Sequence, residues 1–129
     1  MFTIQDIKAA HSRVKSGVDF PRYIQDLRQL GVHAYETFVS DGHALYIGEA
    51  DHKLFSEALY APLEVLAVYQ KAEFAAALHL HQHGGTDYLQ FCKDCAVNGV
   101  YSWVTDLEAL TCTYYDAEKK EVLTERIPS

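Results

Sequence analysis

The chain has 129 residues and a mass of 14.6 kDa, the size of one domain. With 49% hydrophobic and 22% charged residues its composition is that of a globular protein, which excludes a disordered tail or a collagen-like chain. Lys and Arg number 11 against 18 Asp and Glu, a formal charge of −7, and an acidic chain repels phosphate backbones, which excludes a general nucleic-acid binder.

Thr3 with Asp6 three residues later marks a helix start, an approximate capping box. Ile7, Ala10, His11 and Val14 follow at helical spacing, and Ser16-Gly17 is expected to end that helix. Asp19 is the expected N-cap of a second helix, with Pro21 tolerated in its first turn. Phe20, Tyr23, Ile24 and Leu27 form its apolar stripe, and Gly31 suits the residue after its end. From Val32 the period becomes two, with Tyr35, Thr37 and Val39 on one face of a strand. Asp41-Gly42 reads as a tight hairpin turn with positive φ at both central positions. Leu45 to Ile47 is the returning strand, and Lys53 to Ser56 a weaker third one.

Residues 57–69 form a connector around Pro62, with a further strand expected over Val65 to Tyr69. Lys71 to His83 is rich in Ala and Leu and reads as a third helix, stopped by Gly84-Gly85. Asp87 caps a fourth, with Tyr88, Phe91, Cys92 and Cys95 on one stripe and Gly99 after its end. Val100 to Asp106, Leu110 to Tyr115 and Glu121 to Ile127 then read as an antiparallel meander. No stretch is apolar for the roughly 20 residues a membrane helix needs. The N-terminus has no basic segment ahead of an apolar core, so a secretory signal is not expected. Three cysteines, an odd count, favour a reducing cytoplasm over a disulfide framework.

The two halves, 1–56 and 70–127, share the order helix, helix, strand, strand, strand. A shift of 68 positions aligns Gly17 with Gly85, Asp19 with Asp87, Asp26 with Asp94 and Gly31 with Gly99. It also aligns Thr37 with Thr105, Tyr46 with Tyr114, and Tyr23 and Tyr35 with Phe91 and Trp103. An internal duplication within one α+β domain is the expectation, its antiparallel strands covered by paired helices, with ligand or partner surfaces where the halves meet.

The run from Lys15 through Asp19-Phe-Pro-Arg-Tyr to Leu27, continuing through Gly31-Val32 and Tyr35-Glu-Thr-Phe-Val-Ser-Asp-Gly42, resembles a family of small bacterial and prophage-encoded proteins. So do Gly85-Thr-Asp-Tyr-Leu-Gln-Phe-Cys-Lys-Asp-Cys95 and Thr111-Cys-Thr-Tyr-Tyr-Asp116. Some members of that family carry the label "phage envelope protein", although its function is not established. The resemblance implies an α+β fold and supplies no catalytic residues. An acidic chain without a membrane-anchoring sequence gives an envelope role no physical support.

Cys92-Lys-Asp-Cys95 can supply two thiolates to a zinc ion or form a redox pair. His79 and His83 share one helical face upstream, so a Cys₂His₂ site from His79, His83, Cys92 and Cys95 is conceivable across a helix hairpin. Against it, Cys92 and Cys95 align with Ile24 and Leu27, positions where a thiol packs as a small hydrophobe. His79, His81 and His83 also read as a polar helix end. The aromatics on the strands, Tyr35, Tyr46, Trp103, Tyr114 and Tyr115, fit core packing or a protein interface better than a nucleic-acid platform, which would need a basic groove. No nucleophile elbow, P-loop or dinucleotide fingerprint occurs. Three functions stay open: a cytoplasmic, prophage-borne module that binds or modulates a protein, a zinc-binding protein, and a small enzyme with its site between the halves. A homodimer through an edge strand or aromatic patch is compatible with all three.

Overall fold

The computed structural model describes residues 2–14 and 19–127. Among them run α1 (Ile4–His11), α2 (Phe20–Leu30), β1 (Ala34–Phe38), β2 (Ala44–Ile47) and β3 (Lys53–Phe55). They are followed by α3 (Lys71–Gln82), α4 (Tyr88–Val97), β4 (Ser102–Asp106), β5 (Thr111–Tyr115) and β6 (Glu121–Arg126). The fold is α+β. No helix among the described residues is long and apolar enough to cross a membrane.

The six strands form one antiparallel sheet in the order β3-β2-β1-β4-β5-β6, so the two meanders join edge to edge through β1 and β4. In that central pair Glu36 lies opposite Val104, the residue 68 positions on. On either side, Tyr35 faces Thr105 while Thr37 faces Trp103. The β1–β2 register, with Tyr35 opposite Tyr46, recurs in β4–β5 as Trp103 opposite Tyr114. The outermost pairs differ: a register shift between Tyr114 and Tyr115 puts Tyr114 opposite Leu123, whereas Tyr46 pairs with Leu54. An extra residue in one strand bends it and increases its twist.

Side-chain alternation sorts the sheet into two faces. Tyr35, Thr37, Trp103, Thr105, Cys112 and Tyr114 are buried on the face that carries the helices. Tyr23 of α2 packs edge-on against Tyr35, Phe91 of α4 against Trp103, and Phe74 of α3 against Tyr114. The other face carries Glu36, Phe38, Leu45 and Phe55, and Phe55 is 64% exposed.

Several sequence expectations are refined. The Thr3 capping box forms in full: Asp6 N–H donates to Thr3 Oγ1 and Thr3 N–H to Asp6 Oδ2. However, α1 ends at His11, ahead of Ser16-Gly17, which lies outside the described residues. The Ser12 hydroxyl donates to the Ala9 carbonyl at 2.7 Å, a local bond that competes with helix continuation. Asp19 occupies the N-cap position of α2 but makes no capping hydrogen bond. The β1–β2 connection is a five-residue loop rather than a two-residue turn. Of Asp41 and Gly42 only Gly42 has positive φ, and the Asp41 carboxylate instead accepts from the His43 N–H at 3.0 Å, an Asx turn. Residues 65–69 form no strand. The segment bonds instead to the end of α4: Leu66 N–H donates to the Ala96 carbonyl and the adjoining Gln70 N–H to that of Asn98.

Candidate functional site

A cleft of about 550 Å³ lies between the helix pairs. Its lining includes Tyr35, Thr37, Ala44, Tyr46, Trp103, Cys112 and Tyr114 from the sheet. Ile7 and His11 of α1, Phe20 and Tyr23 of α2, Leu78 and His81 of α3, and Tyr88 and Phe91 of α4 also contribute. Both halves therefore build it, and many of the lining positions fall in pairs 68 residues apart: Phe20 and Tyr88, Tyr23 and Phe91, Tyr35 and Trp103, Ala44 and Cys112, Tyr46 and Tyr114. Period-two alternation brings the sheet residues to one face, and the helical stripes of α2 and α4 lay further rings over them.

The rings are set in chains. In the first half Tyr23 meets Tyr35 at 6.2 Å and Tyr35 meets Tyr46 at 5.3 Å between centroids. In the second, Phe91 meets Trp103 at 5.6 Å and Trp103 meets Tyr114 at 6.0 Å. These separations suit tilted and edge-to-face packing. His11 bridges the halves, 5.5 Å from the Tyr23 ring and 6.0 Å from that of Tyr88. His81 stacks on Phe91 at 4.3 Å and 9°.

Apart from Lys8 and Glu57, the polar side chains of the cleft are hydroxyls, imidazoles, an amide, a thiol and an indole. Burial pulls the His11 imidazole below its ordinary value. Burial does the same to His81, against the opposing pull of the Thr86 carbonyl, Asp87 and Asp94. Burial also raises the phenols of Tyr23, Tyr35, Tyr46, Tyr88 and Tyr114 above their usual range, because a low dielectric disfavours the charged form. The Tyr23 and Tyr46 hydroxyls lie 3.3 Å apart and are hydrogen-bonded to each other.

The structure does not bring the four candidate metal residues together. Cys92 and Cys95 are fully buried on the core side of α4. His79 and His83 are exposed on α3, their rings 4.2 Å apart, and a His83 ring nitrogen lies 2.8 Å from the His79 carbonyl. Among the described residues no group of three or more His, Cys, Asp or Glu could hold a metal ion. Burial raises the thiols of Cys92 and Cys95, and lifts that of Cys112 to about 11. All three are thus protonated near neutral pH and poor nucleophiles as free thiols.

A family model described as a protein of unknown function, DUF1398, matches residues 8–126. The chain belongs to the DUF1398 family. No curated protein matches it. Within this DUF1398 chain the match takes in both helix pairs and the whole sheet, apart from the start of α1. His11, His81 and the Tyr23–Tyr46 pair were not legible as site residues from spacing alone, because α1 and α3 meet the sheet only through tertiary packing. The available signal was the repeat, which predicts a seam with matched aromatic positions on either side.

Proposed function

We propose that this DUF1398 protein binds a small, uncharged, largely aromatic ligand in the cleft at the seam of two duplicated halves. The carrying observation is the 550 Å³ cleft, built by both halves and lined mainly with aromatic and aliphatic side chains. That is the size range and chemistry of small-molecule sites. Away from Lys8 and Glu57, its walls offer imidazoles, phenols and apolar rings, which repay the desolvation of an ion poorly. Duplication is supported by Glu36 lying opposite Val104 and by the recurring strand registers. A cytoplasmic setting is supported by three buried free thiols. Prophage origin rests on the sequence resemblance alone.

The single tryptophan lies in the cleft, so binding is directly readable. N-phenyl-1-naphthylamine, a neutral aromatic whose absorption overlaps tryptophan emission, is expected to quench Trp103 and take up its energy saturably. Ala44→Leu, which adds bulk to the floor, is expected to weaken this at least ten-fold while leaving the circular dichroism unchanged. Absence of saturable transfer in the natural protein overturns the reading, as does transfer indifferent to Ala44→Leu.

The protein-interaction reading has one observation of its own. The sheet face away from the helices carries Phe55, 64% exposed on the outermost strand of its meander, beside Leu45. Exposed apolar surface of this kind marks interaction sites. Phe55→Ser abolishing recovery of a specific partner, with the fold intact, would support it.

A further inference from the structure

The pairing of lining positions across the seam does not extend to their hydroxyls: Tyr23 corresponds to Phe91, and Phe20 to Tyr88. In the first half, Tyr23 and Tyr46 place two hydroxyls 3.3 Å apart on the cleft wall. The residues 68 positions on are Phe91 and Tyr114, so the second half lacks one of the two hydroxyls. The hydroxyl pair thus belongs to the first half, while the second half carries its own additional phenol, Tyr88, where the first has Phe20. Ser12 and Ser56 also line the cleft from the first half, and His81 and Gln82 from the second.

The bond between Tyr23 and Tyr46 is the one that each hydroxyl makes among the described residues. A hydroxyl carries one proton and two acceptor lone pairs. In such a pair one O–H is used between the partners and the other stays free to donate. A buried donor of this kind favours an acceptor in a ligand and penalises an isostere without one.

We propose that the Tyr23–Tyr46 hydroxyl pair is the recognition point for one carbonyl or ether oxygen on a flat, neutral aromatic ligand, which it orients with its polar end toward the first half. The ligand class is thus an aryl ketone, aryl ether or similar mono-acceptor ring system. This rests on the cleft being a ligand site. Burial holds both phenols in the protonated, donating form.

Two probes of matched shape test it by displacement of N-phenyl-1-naphthylamine: 2-acetylnaphthalene, with a carbonyl, and 2-isopropenylnaphthalene, with a methylidene group in its place. The ketone is expected to displace at roughly ten-fold lower concentration, a difference of about 1.4 kcal/mol. In the double variant Tyr23→Phe, Tyr46→Phe that preference is expected to vanish while the hydrocarbon binds as before. Removing both partners leaves neither hydroxyl unsatisfied, so the variant is expected to stay folded. Equal displacement by the two probes in the natural protein overturns the recognition point and leaves the cleft reading standing. So does a ketone preference that survives the double variant. Failure of every aromatic probe to bind overturns both.

Discussion

Gly31 and Gly99 stand 68 positions apart, each after a helix and each with positive φ, 96° and 78°. Their surroundings differ. A Cβ on Gly31 would meet nothing within 4 Å, whereas one on Gly99 would lie 2.2 Å from the Val68 carbonyl oxygen and 2.7 Å from the Tyr69 nitrogen. The backbone of the connector passes over the second helix end and not over the first. Gly31→Ala is therefore expected to cost only the left-handed strain of about 1–2 kcal/mol. Gly99→Ala must displace backbone and is expected to cost upward of about 3 kcal/mol. Urea unfolding of the two variants checks the contrast, and equal losses would contradict the close approach. The thiols give a second residue-scale expectation. With Cys92, Cys95 and Cys112 buried and protonated, a thiol reagent at neutral pH is expected to find no fast-reacting group in the native protein and three after unfolding. A fast-reacting thiol in the native state would show local opening, of α4 if it is Cys92 or Cys95 and of β5 if it is Cys112.

At the scale of elements, Asp87 caps α4 by accepting from the Gln90 N–H at 2.8 Å. Asp87→Ala is expected to lower stability by about 1 kcal/mol, read from the urea midpoint at unchanged m-value. That cap was legible in the sequence, as were the Thr3 box and the strand faces of Tyr35 and Thr37, because each depends on spacing within one element. What escaped depends on contacts distant in sequence. Residues 65–69 have the apolar β-branched look of a strand, yet Leu66 and the adjoining Gln70 bond to the end of α4. The inward turn of the cysteine pair, by contrast, was legible from its alignment with Ile24 and Leu27. Joining of the two meanders could not be read from either one, since it is a pairing of β1 with β4 across 68 residues. The cleft follows from that joining, so its polar members escaped with it.

For the molecule as a whole, the seam is where acid should act first. His11 packs against rings from both halves and His81 against Phe91, and burial lowers both imidazoles from 6.5. In the unfolded chain they take up protons near that value, and in the folded chain only at lower pH. The unfolded state thus binds more protons in this window, and stability rises with pH across it. Stability should be fully present above about pH 6.5 and decline as the pH falls through the folded values. Asp41 titrates elsewhere. Burial works to raise it, but the hydrogen bonds and charge of His43 prevail and hold it below 3.8, so its loss belongs to still more acid solution. Urea unfolding between about pH 7.5 and 2.5 separates the two windows. The double variant His11→Gln, His81→Gln is expected to flatten the decline below pH 6.5 and leave the acid limb in place. A decline of undiminished slope in that variant would move the acid sensitivity away from the seam. Because both imidazoles line the cleft, a bound neutral aromatic ligand should bury them further and steepen the same decline, linking occupancy of the seam to pH through the groups that hold the two halves together.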